Sequence, residues 1–89
     1  MNAQAMMDGF AFRSGSGAPL RLVGSAAPGE PFGGSIQRGE CIAIRAGASV
    51  PEGCDTIAKQ EQCTQDGNKV WLGALLKRGA NVRLTGVAA

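Results

Sequence analysis

The chain is 89 residues long, one small domain whose folding buries only roughly 60 to 65 % of its unfolded surface. A core of that size argues against a self-contained multi-step enzyme. The composition is globular, with 44 % hydrophobic and 18 % charged residues. The net charge of +2 is spread along the chain without a Lys/Arg cluster, and the aromatic residues are Phe10, Phe12, Phe32 and Trp71 alone. That is neither the basic stripe nor the stacking platform of a nucleic-acid binder, so no nucleic-acid partner is expected.

In chain order, short apolar runs alternate with glycine and proline breaks. The opening MNAQAMM lacks the charged start and apolar run of a signal peptide. No stretch approaches the ~20 apolar residues of a membrane span. Phe10-Ala11-Phe12 is apolar throughout, Ser14-Gly15-Ser16-Gly17 reads as a loop, and Leu20–Val23 alternates in part. Pro28–Pro31, Gly33-Gly34 and Arg38-Gly39 break the chain before Cys41–Arg45, which reads as a buried strand. Val50-Pro51-Glu52-Gly53 has the proline and glycine of a tight turn.

Thr56–Glu61 is a less regular strand candidate. Asp66-Gly67 or Gly67-Asn68 is the strongest hairpin signal and predicts that Lys69–Leu72 pairs back onto Thr56–Glu61. Leu75-Leu76-Lys77 has room for a helical turn between Gly73 and Gly79. Asn81–Thr85 has a clean period of two, with Val82 and Leu84 on one face and Arg83 on the other. Short strands joined by Gly/Pro turns predict an all-β barrel or coiled sheet.

Histidine is absent, which removes Ser-His-Asp and Cys-His catalysis and leaves zinc without its usual ligand set. Cys41, Cys54 and Cys63 are odd in number and lack CxxC spacing, so free, half-buried thiols in a reducing, cytoplasmic setting are expected. The glycines at 15 and 17 lack the third glycine and the flanking strand and helix of a dinucleotide fingerprint. Three polar features remain. Asp8, within Met7-Asp8-Gly9-Phe10, either caps a turn or projects into a site. Gly47–Gly53 is a long structured loop, and Asn81-Val82-Arg83 offers a guanidinium that either clamps an anion or faces water.

Several pieces stand in a fixed order: Met7–Ala11, Ala27–Phe32, Gly39–Ile44, Gly47–Ile57, Gln60-Glu61 and Gly79–Arg83. In sequence and spacing this series resembles the molybdopterin molybdenumtransferase (MoeA/gephyrin E-domain) family from about Ala5 to Gly86. The resemblance is to one β-rich domain, built of coiled and bifurcated sheets, of a four-domain enzyme. It implies for the complete enzyme the insertion of molybdate into adenylylated molybdopterin with magnesium and release of AMP, at a site shared between subunits.

By the same resemblance Asp8, Asn81 and Arg83 keep ligand-binding positions of the family pattern. Ala46 stands where the pattern has threonine, Gly86-Val87-Ala88 where it has Gly-Glu-Asp, and Gln4-Ala5-Met6 where it has Asn-Ser-Ala. The resemblance therefore implies a non-catalytic domain with no metal or cofactor of its own. Its expected partner is another protein or a second copy of itself, away from membranes. The alternatives are part of a molybdenumtransferase that needs other domains, and an assembly module joined through strand edges.

Overall fold

The computed structural model describes residues 2–73 and 75–85, and they form two sheets. The strands are β1 (Asn2–Ala5), β2 (Gly9–Phe12), β3 (Leu20–Ala26), β4 (Glu40–Ile44), β5 (Thr56–Lys59), β6 (Cys63–Asp66), β7 (Lys69–Leu72) and β8 (Val82–Thr85). The larger sheet runs β5-β2-β4-β3-β7-β6, and β1 pairs with β8 in a separate two-stranded ribbon. All neighbours are antiparallel except β3 and β4, which run parallel. Their connection is the glycine- and proline-rich stretch between Ala27 and Gly39.

The apolar character of Phe10-Ala11-Phe12 has a direct cause, since β2 is central and buried on both faces. One face carries Ala11 beside Ile42 and Ile57, in a cluster with Ile36, Ile44 and Ala48. The other face carries Phe10 and Phe12 with Cys41, Ala58, Leu20 and Val70. Phe10 and Phe12 thus share a cluster with β7, three positions away in strand order, which requires the sheet to curl into a half-barrel. The register shift at Val23 in β3 helps, because a bulge bends and over-twists its strand. Fully burying each isoleucine here contributes about 1.5 to 3 kcal/mol.

The ribbon closes over the first face. Ala5 is buried in its cluster and Val82 packs against it, while Val50 donates its backbone N–H to Ala3. Val82–Thr85 is a strand as predicted, but only Val82 reaches the core: Leu84, expected on the same face, is 61 % exposed.

The hairpin forms at Gly67-Asn68, with φ +60 at Gly67, yet it joins β6 to β7. Lys69–Leu72 therefore pairs with Cys63–Asp66 and not with Thr56–Glu61. The predicted strand over 56–61 stops at Lys59, and Gln60–Gln62 make a 3-10 turn that starts a new strand. A two-residue loop can only close strands that are contiguous with it, and Cys63–Asp66 occupies that position. Residues 75–77 form no helical turn. The opening residues 2–5, unremarkable as sequence, are a strand because β8 and residues 48–50 supply their backbone partners.

Candidate functional site

Asp8 sits where three neighbouring strands of the large sheet end together. Gly9 is the register partner of both Ile44 in β4 and Lys59 in β5. One residue further along β2, Asp8 therefore stands between Arg45 and Gln60. Its Oδ1 accepts the Ala46 backbone N–H at 2.9 Å, and its carbonyl accepts the Gln60 N–H at 3.2 Å. Asp8 thus ties down the loop after β4 across the sheet rather than capping its own turn, and its carboxylate is exposed at the rim of a depression.

That depression is an open basin of about 750 Å³ lined by Met7, Asp8, Ala46, Lys59, Gln60 and Glu61. Asp8 also borders a second cavity of about 600 Å³ on the concave side of the half-barrel. Phe10, Leu22 and Ala43 line that cavity with apolar surface, and Arg45, Glu30 and Gln65 supply polar groups. Asp8 is common to both.

The other two sequence candidates lie elsewhere. Asn81 adopts φ +61, donates its side-chain amide to the Ile57 carbonyl at 2.8 Å, and accepts the Met6 N–H through its own carbonyl. It closes the chain over the outer edge of β5. Arg83 is exposed on β8 opposite Gln4 and lines neither cavity that Asp8 lines. The structure therefore does not bring Asp8 and Arg83 into one cavity. Gly86-Val87-Ala88, read as lacking both carboxylates of the family pattern, lies outside the described residues.

Lys59 and Arg45 are the cations that do border these cavities, and sequence reasoning passed over both. The signal was faint: each is the polar residue closing an apolar strand, and only the register brings their strand ends alongside Gly9, Lys59 toward the basin and Arg45 toward the second cavity. Ala46, which the resemblance sets where the family pattern has threonine, lines the basin.

Among the described residues no group of three or more His, Cys, Asp or Glu side chains is placed to hold a metal ion. The basin offers two carboxylates, Asp8 and Glu61, one of them already bonded to Ala46. Magnesium demands several oxygen ligands, so this donor set does not fit it. The thiols are free. Burial pushes Cys41 and Cys54 up to about 12 and raises Cys63, which keeps them protonated and inert as ligands.

A network on the far side of β5 holds the chain in place. Asp55 accepts the Ser14 N–H and hydroxyl, the Thr56 hydroxyl and the Arg78 guanidinium. Burial works against its charge, but these donors together hold its carboxyl below the usual range. Thr56 is fully buried and satisfied, donating to Asp55 and accepting the Gly79 N–H.

Comparison with known proteins agrees with this architecture. The family described as "MoeA N-terminal region (domain I and II)" matches residues 2–89. Two solved structures of the molybdopterin biosynthesis MoeA protein from Pyrococcus horikoshii share the fold. They have TM-scores of 0.84 and 0.88 at 22 % identity, and cover 91 % and 96 % of this chain. The chain covers only 23 % and 24 % of those proteins.

Proposed function

Because the chain belongs to the MoeA N-terminal-region family, we propose that it is a non-catalytic binding module of molybdenum cofactor biosynthesis, presenting the Asp8 basin to a partner polypeptide. The observation that carries this reading is the state of Asp8. Its carboxylate is fixed by the Ala46 N–H at the edge of an open basin. An open basin leaves a reacting group in water, where charge stabilisation is weak, so it works as a surface that a second chain completes.

The test uses the purified chain with magnesium, molybdate and adenylylated molybdopterin. Alone it releases no AMP. Mixed with a MoeA protein from which the N-terminal region has been removed, and whose folding is checked by circular dichroism, it forms a complex in size-exclusion light scattering. Asp8→Ala weakens that complex. AMP release by the chain alone, or no complex with the folded partner, overturns the reading.

A second reading rests on β6, which lies at the outer edge of the large sheet with Thr64, Gln65 and Asp66 exposed. Open edges pair with other strands, so this edge suits self-association. A dimer mass for the chain alone favours this reading, and a monomer mass favours the first.

A further inference from the structure

The two outer edges of the large sheet end differently. On β5, the Ile57 N–H donates to the Ala80 carbonyl at 3.0 Å and the Ile57 carbonyl accepts the Asn81 side-chain amide at 2.8 Å, so that edge is taken. Beside β6, the Gly73 N–H donates to the Gln62 carbonyl at 2.6 Å, which sets the backbone of Gln62 toward β7. Alternation along the extended chain then turns Thr64 and Asp66 toward β7, and Cys63 and Gln65 toward the open side. The Cys63 N–H donates to the Gln60 carbonyl. The Cys63 carbonyl and both backbone groups of Gln65 have no partner among the described residues.

The same two residues look into the half-barrel. The Cys63 side chain packs against the cluster of Phe10, Phe12, Leu20 and Cys41, and Gln65 lines the concave cavity with Phe10, Leu22 and Ala43. Residues opposite one another on neighbouring strands put their side chains on one face. A strand added antiparallel to β6 therefore bonds to Gln65 through its backbone and sends the side chain opposite Gln65 into that cavity. The residues on either side of it fall on the outer face, beside Thr64 and Asp66.

Charge and side-chain size distinguish a foreign strand from a second copy here. Glu61 and Asp66 are the only charged residues between Lys59 and Lys69, and both are exposed. Neither takes part in an ion pair among the described residues. Two copies joined edge to edge bring these acidic segments together, which is destabilising. Each copy also offers only a thiol and an amide, from Cys63 and Gln65, to the other's cavity, and its apolar wall stays unfilled.

We infer that β6 is the docking edge for an extended segment of a partner polypeptide, with a large apolar residue opposite Gln65 and basic residues flanking it. Backbone bonds to Gln65 supply affinity, and the concave cavity selects the side chain. This goes beyond the reading of the Asp8 basin, and it gives the β6 edge an occupant other than a second copy.

The probe is the capped peptide Lys-Val-Lys-Leu-Lys-Val-Lys, titrated into the isotope-labelled chain at constant ionic strength while amide shifts and hydrogen exchange are followed. Shifts centre on Cys63, Thr64 and Gln65 and reach Phe10, Leu22 and Ala43, and exchange of the Gln65 amide slows. Gln65→Pro removes the outward N–H and spares the bonds to β7, the one placement a strand allows proline. It weakens binding about tenfold or more, the scale of a lost hydrogen bond. Methylating the leucine nitrogen of the peptide does the same from the ligand side, so the test stands even where Gln65→Pro does not fold. Replacing the leucine with serine, or every lysine with glutamate, also weakens binding.

Absence of binding overturns the proposal, as does binding that Gln65→Pro and the methylated peptide leave unchanged. Equal affinity for the serine or the glutamate peptide also overturns it. A dimer of the free chain that Gln65→Pro converts to monomer does so too, and assigns the edge to a second copy. Failure here removes β6 as a docking edge, whereas failure of the complex with the folded partner removes the Asp8 surface and leaves β6 untouched.

Discussion

Ser14 and Asp55, 41 residues apart in the chain, are joined twice: the Asp55 carboxylate takes the Ser14 backbone N–H at 2.8 Å and its hydroxyl at 3.1 Å. The same carboxylate faces Arg78, with Nε 3.2 Å from Oδ2. Three distant segments, the loop after β2, the start of β5 and the turn before β8, meet on one side chain.

Asp55→Ala removes the acceptor for all of these donors and leaves the buried Thr56 hydroxyl short of a partner. Hydrogen bonds to a charged group contribute about 1.5 to 3 kcal/mol, so a loss of about 2 kcal/mol is expected in urea unfolding. Ser14→Ala keeps the backbone donor and costs about 1 kcal/mol or less. Equal effects of the two substitutions would remove Asp55 as the centre of the network.

The depressed carboxyl of Asp55 also sets a pH dependence. Its pKa in the folded chain lies below the ordinary 3.8, so on acidification the unfolded chain takes up its proton first. The stabilisation is complete above the unfolded value and is lost as pH falls through 3.8 toward the folded value. Denaturant midpoints measured from pH 6 down to pH 2 fall in that window, and in Asp55→Asn the fall is smaller.

Gly53 and Gly67 both have positive φ, +94 and +60, but their surroundings differ. A Cβ on Gly53 runs into the Ile36 carbonyl oxygen, whereas a Cβ on Gly67 meets nothing within 4 Å. Gly67→Ala costs about 1 to 2 kcal/mol for its backbone conformation alone. Gly53→Ala adds displacement of the Ile36 segment from the core and costs about 3 kcal/mol or more. Thermal melts of the two variants in the opposite order would contradict this.

Ile42 is fully buried between its neighbours on β2 and β3, and Leu84 is largely exposed. Ile42→Ala is expected to cost about 2 to 5 kcal/mol through the lost contacts and the cavity left behind. Leu84→Ala stays within about 0.5 kcal/mol. Chemical denaturation of both variants checks the pair.

Cys41 and Cys54, with thiols near 12, carry about one thiolate in ten thousand at pH 8. In the native chain a disulfide-exchange reagent at pH 8 reacts slowly with both, and all three cysteines react at once in denaturant. Fast native labelling of Cys41 would show that its strand opens readily.

The sequence by itself determined most of the apolar strands and the glycine and proline turns between them. Alternating or continuous apolar runs between glycine and proline breaks settled β2, β4, β7 and β8, because side-chain period and backbone freedom are local properties. The order of the pieces that resemble the family pattern, from Met7 through Arg83, also pointed to the family before any strand was paired.

Pairing was decided only by the tertiary structure. A period of two says which residues share a face, but not which strand lies alongside, and so β7 was matched to Thr56–Glu61 in place of Cys63–Asp66. The polar β6 and the opening β1 carry little apolar signal, and neighbouring strands alone supply their backbone partners. The same reason governs the site. Asp8 was legible as a lone carboxylate beside a glycine, yet the cations Lys59 and Arg45 that border the same cavities were not, because they lie far along the chain and only strand register brings their strand ends alongside Gly9. Arg83 had the right chemistry, but the ribbon carries it on a different sheet.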